Sequence, residues 1–328
     1  MAVRTRPTTA PSPAARATAA RSTTAAPSRT WKKGLLVPKR FELSATPGRS
    51  GAIAFRSLYR PRRLRARVAT AISVFAVTHS IGRASAGPGD AAAELCALVG
   101  VAPDGGAQIR SRKSGRTTFG LTEHGRLCVV VKVAPDGDPV LAHESEALQR
   151  LHGAIPGVLV PAVRWVGPWR GHLAMATEAL ASTPDGRDID LEEALGIAIA
   201  LARGSERHGP VVHGDFAPWN LLRTPDGIAL VDWESSRFEL DPLYDLAHFV
   251  TSKGVLLGSH EPADAVRLLT AEASPGWRYL EALAVDPRRA PHDVRRYLER
   301  TLARGTPTTR HYRQAMLGLL PPAAACVA

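Results

Sequence analysis

Val211-Val212-His213-Gly214-Asp215-Phe216-Ala217-Pro218-Trp219-Asn220-Leu221-Leu222 sets an aspartate and an asparagine five apart between two apolar runs. Eight residues beyond Asn220 another apolar run begins, Ile228-Ala229-Leu230-Val231, and leads into Asp232-Trp233-Glu234. Short apolar runs bounded by turn residues read as buried extended segments. A single aspartate beside such a run is explained as a turn cap or a strand end. Three polar residues of the right types at this spacing ask for a chemical reason. Phosphoryl transfer needs little covalent chemistry and much positioning: a carboxylate to orient an attacking hydroxyl, and oxygen ligands to hold Mg²⁺ on the phosphates. Asp215, Asn220 and Asp232 supply that set.

Upstream of this stretch the pattern is that of a small antiparallel sheet. Segments 108–112, 117–122 and 127–134 are short and β-like, separated by turns containing glycine. A helix is predicted over 141–151, extended structure over 157–166, and a buried strand over 173–177. Within Val129-Val130-Val131-Lys132-Val133-Ala134 one lysine stands among aliphatic residues. An unpaired charge there is costly, so Lys132 requires an acidic partner. Further on, Leu191, Leu195, Ile199 and Ala202 form a helical stripe, and the residues after Asp245 are helical in pattern. Tyr279, Leu280 and Leu283 mark one segment, and Val294, Tyr297, Leu298 and Leu302 another.

The loop at 213–220 resembles the His-Gly-Asp-four-residues-Asn signature of the aminoglycoside phosphotransferase and choline kinase-like superfamily. Val231-Asp232-Trp233-Glu234 falls where protein kinases carry Asp-Phe-Gly. The resemblance covers roughly residues 108–249. It implies a bilobal, protein-kinase-like α+β fold with a small β-rich N-lobe and a mostly helical C-lobe. It also implies ATP or GTP as phosphate donor, Mg²⁺ as cofactor, and a small-molecule hydroxyl acceptor of aminoglycoside, sugar or amino-alcohol type. In that frame Asp215 accepts or orients the proton of the acceptor hydroxyl, Asn220 and Asp232 hold Mg²⁺, and His213 supports the loop from behind. Lys132 meets the α- and β-phosphates. Glu144 occupies the place of its ion-pair partner, with Glu146 as the fallback. Ser114, Gly115 and Thr117 belong to the phosphate-covering loop, which lacks the full run of glycines seen in protein kinases. Glu178 sits in the interlobe linker that places backbone groups against the base. Asp241 and Asp245, in Asp241-Pro242-Leu243-Tyr244-Asp245-Leu246-Ala247, are expected to be structural. Only 34 residues lie between Glu178 and His213, much fewer than in many antibiotic kinases, a departure that puts an aminoglycoside acceptor in doubt. An acceptor pocket would then draw on C-terminal helices, with Glu261, Asp264 and Glu272 available to a cationic substrate.

The chain has 328 residues with 42 Lys or Arg and 30 Asp or Glu, but the excess is uneven. Residues 1–88 hold 17 of the bases and one acid, Glu42, giving +16 there and −4 in the remainder. The basic balance therefore describes an arm, and its bases lack the interleaved aromatics that stack on nucleic acid, so no specific nucleic-acid partner is expected. Residues 1–30, built from Ala, Thr, Pro, Ser and Arg, are expected to be a disordered arm; their Arg-rich, acid-poor composition also resembles a transit peptide. Residues 31–103 are expected to be an N-terminal extension, 104–178 the N-lobe, 179–320 the C-lobe and 321–328 a tail. Within the extension, Leu35-Leu36-Val37 and Ala52-Ile53-Ala54-Phe55 read as extended pieces. Leu64, Val68, Ile72 and Phe75 read as the apolar face of an amphipathic helix, and Asp90 starts another helix running to Val99. The apolar run at 68–81 is too short to cross a bilayer and lies too far from Met1 for a secretory signal, so no membrane span is expected. Cys96, Cys128 and Cys326 show no paired spacing, which points to the cytoplasm and against a zinc or disulfide framework. Two other classes share these features: a nucleotide-binding pseudokinase, and a scaffold tethered through its basic arm.

Overall fold

The computed structural model describes residues 31–33, 41–58, 70–71, 73–75, 77–78, 84–85, 89–112, 114–180, 189–205 and 207–322. The expected arm at 1–30, Leu35-Leu36-Val37, Leu64, Val68, Ile72 and Cys326 lie outside them, as does most of the expected tail.

An antiparallel sheet of eight strands carries the N-lobe, in the order β3-β1-β2-β4-β5-β6-β9-β8. Its central strands are β4 (Gly105–Ser111), β5 (Thr117–Glu123), β6 (Arg126–Pro135) and β9 (His172–Glu178), with β8 (Val163–Trp169) at one edge. β-branched residues dominate β6, and their alternation sends Val129, Val131 and Val133 to one face, against Phe119, Leu121, Leu95 and Cys96. Helix α2 (Gly89–Val99) covers that face. On the other face lies α3 (Pro139–Leu151), started by Asp138, whose carboxylate accepts the amides of Val140 and Leu141 at 2.9 and 3.3 Å, and by proline at its first turn.

The segment before residue 104 is continuous with this sheet. Strands β1 (Trp31–Lys33), β2 (Phe41–Ala45) and β3 (Ala84–Ser85) extend it, with β2 paired to β4 from Phe41↔Ser111 to Ala45↔Ala107. Ala52-Ile53-Ala54-Phe55, expected to be extended, lies inside helix α1 (Arg49–Leu58). A four-residue apolar run has no periodicity long enough to separate strand from helix, and its alanines favour the helix. Ala52, Ala54 and Phe55 pack with Ala45, Ala107 and Val77. The amphipathic stripe through Phe75 also needs correction: Phe75 is 57% exposed, whereas Thr70, Ser73 and Val77 are buried. Its burial is set by small residues that let the segment approach α1.

The C-lobe holds helices α4 (Leu191–Arg203), α5 (Tyr244–Ser252), α6 (Pro262–Thr270), α7 (Pro275–Ala282), α8 (Ala290–Thr301) and α9 (Pro307–Leu319). A capping box at Asp190 and Glu193 begins α4. Its core includes Trp233, Phe216, Phe249, Tyr297 and Leu201. A second, three-stranded sheet runs β10-β11-β7, in which hairpin β10 (Leu221–Thr224) and β11 (Gly227–Leu230) pairs in parallel with β7 (Val158–Leu159). This hairpin carries Asn220 at its entrance and Asp232 just past its exit, which makes the spacing between them a property of a tight β-turn. Among the described residues no helix is long and apolar enough to cross a membrane.

Candidate active site

Between the lobes lies a cleft of about 510 Å³ whose walls include Lys132, Glu144, Thr117, Glu178, Asn220 and Asp232. Lys132 points into it from the middle of β6. Its Nζ donates to Glu144 Oε1 and Oε2 at 2.6 and 2.8 Å and to Asp232 Oδ1 at 2.8 Å, so one ammonium spans both lobes. Of the two acids on α3, Glu144 makes this bond; it is buried, at 2% exposure. Burial alone would lower the lysine pKa, but Asp232 and Glu144 outweigh it and raise it. Lys132 in turn holds the Asp232 carboxyl below its usual range, while burial pushes Glu144 up against the pull of the lysine.

The loop ahead of β10 is pinned from beneath. Asp245, on α5, accepts the amides of His213 at 2.8 Å and Gly214 at 3.0 Å. Gly214 has φ +82°, and a Cβ there would fall 2.2 Å from the Ser235 carbonyl oxygen, so the turn admits glycine alone. His213 is fully buried; its Nε2 donates to the Val231 carbonyl at 3.1 Å and its ring packs edge-on to Trp233. Burial lowers its pKa, against the pull of Asp245, Asp215 and Asp232. Asp245 is itself pushed up by burial, opposed by His213 and the two amides. Asp241 ties a different set together, accepting from Arg237, Arg296 and Arg300.

The Asp215 carboxylate is thereby held at the loop tip between two donors. Asn220 Nδ2 donates to Oδ2 at 3.1 Å and to the Asp215 carbonyl at 2.8 Å, and His248 Nε2 lies 3.0 Å from Oδ1. With both amide hydrogens of Asn220 facing Asp215, its Oδ1 is left as a ligand atom. Asp232 has φ +70°, a left-handed conformation uncommon outside glycine, which turns its carboxylate back toward Lys132. Asp232 stands with Glu144 and Glu234 in a group whose carboxylate ligand atoms lie within 4.8 Å of one another. This oxygen-only set suits a hard divalent cation.

The glycine-containing turn before β5 is closed on itself. The Gly115 amide donates to the Ser111 carbonyl at 2.9 Å and the Ser114 amide to Ser111 Oγ at 3.3 Å. Thr117 lines the interlobe cleft; Ser114 and Gly115 do not, and Gly115 borders a separate hollow of about 250 Å³ on the far side. Glu178 reaches the cleft wall, but its Oε1 is engaged by the Ala162 amide at 3.0 Å, so its carboxylate braces the linker.

Three site neighbours escaped the sequence reading. Arg116 binds Asp138 through Nε and Nη2 at 2.8 and 3.0 Å and Glu234 through Nη1 at 2.9 Å, crossing between the lobes. Glu234 has its carboxyl raised by burial and by neighbouring Asp232. His248 stands three residues after Asp245 on α5; that spacing puts both on one helix face and was the available signal. Glu261 and Asp264 cap the start of α6, and Asp264 pairs with Arg267; neither they nor Glu272 line the cleft.

A β-rich lobe and a helical lobe thus meet at a Lys–Glu pair, Asp232 and an Asp215–Asn220 pair. Residues 168–283 match the model of the APH family, described as the phosphotransferase enzyme family. Similar solved structures include a thermostable mutant of aminoglycoside phosphotransferase APH(4)-Ia in complex with AMP-PNP and hygromycin B, 15% identical with a TM-score of 0.47, covering 71% of this chain and 97% of that one. Another is the aminoglycoside phosphotransferase APH(3'')-Id of Streptomyces rimosus, 15% identical with a TM-score of 0.37 over 69% and 97%. A third is the bifunctional kinase-methyltransferase WbdD, 18% identical with a TM-score of 0.35 over 62% of this chain and 47% of that one. At such low identity and similarity none of the three defines a substrate here. No curated protein matches the chain.

Proposed function

We propose that the chain moves the γ-phosphate of ATP or GTP onto a hydroxyl of a small molecule. The observation that carries this reading is the cleft lined by Lys132, Glu144, Asn220 and Asp232, in which Lys132 bonds to Glu144 and Asp232 while Asn220 holds Asp215. Lys132 meets the phosphates as a point charge. Asp215 orients the acceptor hydroxyl: a bond forms between its oxygen and the γ-phosphorus, the bond from that phosphorus to the β,γ-bridging oxygen breaks, and the hydroxyl proton passes to the Asp215 carboxylate. Asn220 Oδ1 and the free oxygen of Asp232 would hold Mg²⁺, which when bound neutralises charge on the phosphates. His248 and Asn220 keep the carboxylate of Asp215 from turning away. Their bonds to it, 3.0 and 3.1 Å, leave it aimed along one direction.

The test is a phosphotransfer assay with labelled ATP and GTP against aminoglycosides, sugars, nucleosides, choline and homoserine, with and without Mg²⁺. Mg²⁺-dependent transfer to one class is the expected result. Bound nucleotide with no transfer to any hydroxyl would favour a pseudokinase instead.

A further inference from the structure

The sheet has two faces, and helix α1 lies on the one that looks into the cleft. On β6, Val129, Val131 and Val133 belong to the opposite face with Phe119 and Leu121, while Val130, Lys132 and Ala134 line the cleft. Alternation along β5 then places Gly120 on the cleft side. The end of α1 arrives at that point. A Cβ on Gly120 would come within 3.1 Å of Leu58 Cγ and 3.0 Å of Leu127 Cδ1, so the missing side chain leaves the space that Leu58 occupies. Ser57 and Leu58 both border the cleft. The Ser57 hydroxyl donates its proton back to the Ile53 carbonyl at 3.0 Å, so the apolar contact this turn offers the cleft is the Leu58 side chain.

Register locates that surface. Gly120 pairs with Val130, and Val130 stands two residues before Lys132 on the same strand, about 7 Å away at the usual rise of a strand. Leu58, Leu127, Ile109 and Val130 therefore make an apolar wall beside the phosphate-binding cation, and Leu222 and Val231 belong to the same cavity. A slot with apolar walls at one end and charge at the other fits a flat heterocycle joined to phosphates.

We propose that Leu58, at the C-terminal turn of α1, is a contact residue for the nucleotide base, so that the N-terminal segment is part of the nucleotide site. This rests on reading the cleft as a nucleotide site. The family match begins at residue 168, so the wall is supplied by sequence outside it.

Titration calorimetry with Mg²⁺ and AMP-PNP or GMP-PNP tests this on the full chain. Leu58→Ala is expected to weaken binding roughly five- to tenfold, in keeping with the apolar contact removed. Arg56→Ala, on the exposed side of the same helix, is expected to bind as the unaltered protein does. Equal affinity for Leu58→Ala and the unaltered protein overturns the proposal. Should Leu58→Ala fail to fold, amide exchange in the unaltered protein decides: slowed exchange in α1 on saturation with AMP-PNP supports the contact, and unchanged exchange rejects it. If the unaltered protein binds neither nucleotide analogue, the reading of the cleft fails and takes this inference with it. Binding that Leu58→Ala leaves untouched removes the inference alone.

Discussion

Lys132 is the residue on which most of the site converges, and its surroundings make its removal informative. Replacing it by methionine leaves Glu144 buried with no cation, which costs about 3 kcal/mol when a buried pair is broken. Burial already pushes the Glu144 carboxyl up, with Lys132 opposing. In Lys132→Met that opposition is gone, so the folded-state pKa rises further above the unfolded value. A raised carboxyl pKa means stability present at low pH and lost as pH rises through the folded value. The deficit of Lys132→Met is therefore predicted to be smaller at pH 5 than at pH 8 in thermal melts; a pH-independent deficit would place the loss elsewhere. His248 makes a second prediction at this scale. Its bond to Asp215 is a positioning contact, so His248→Leu is expected to lower turnover roughly tenfold with nucleotide KM unchanged. His248→Gln, which keeps a donor at the same reach, should retain most of the activity. Wild-type turnover in His248→Leu would remove the contact from the mechanism.

Among the elements, the catalytic loop and α5 behave as one unit because Asp245 accepts both the His213 and Gly214 amides. Asp245→Ala orphans two buried amides, at about 1 to 3 kcal/mol for each unsatisfied group, and Asp245→Asn keeps one acceptor. The alanine variant is expected to melt well below the asparagine variant and to exchange the two amides faster; equal melting of both with the unaltered protein would contradict the link. Legibility followed period and length. Strands β4 to β6 stood out as short β-like runs between glycine-containing turns, and helix α4 by the stripe Leu191, Leu195, Ile199 and Ala202. Helix α1 did not, since Ala52-Ile53-Ala54-Phe55 is too short to show a period and its burial depends on Ala45 and Ala107, distant in sequence. Loop chemistry was half legible. Asp215, Asn220 and Asp232 were marked by type and spacing, whereas the use of the Gly115 amide inside its own turn depends on hydrogen bonds that glycine content cannot reveal.

At the scale of the whole molecule, two ion pairs among the described residues cross from the sheet lobe to the helical lobe. Lys132 joins Asp232, and Arg116 joins Glu234. The sequence asked for an acid beside Lys132 and pointed to Glu144, which does bind it, but assigned Asp232 to Mg²⁺. The second pair was not foreseeable, since Arg116 and Glu234 stand 118 positions apart and only the closed fold brings them together. Both cross the cleft, so the charge that fixes the lobes is the charge that would meet the phosphates. The fold holds one carboxylate, Asp215, between His248 and Asn220, and Asn220 lines the cleft that Lys132 enters. The most direct test is to replace Asp215 by asparagine and measure phosphotransfer to whichever acceptor the hydroxyl panel identifies, beside AMP-PNP affinity. Turnover reduced about a hundredfold or more with nucleotide affinity unchanged is the predicted result; full turnover in Asp215→Asn would contradict the role assigned to it.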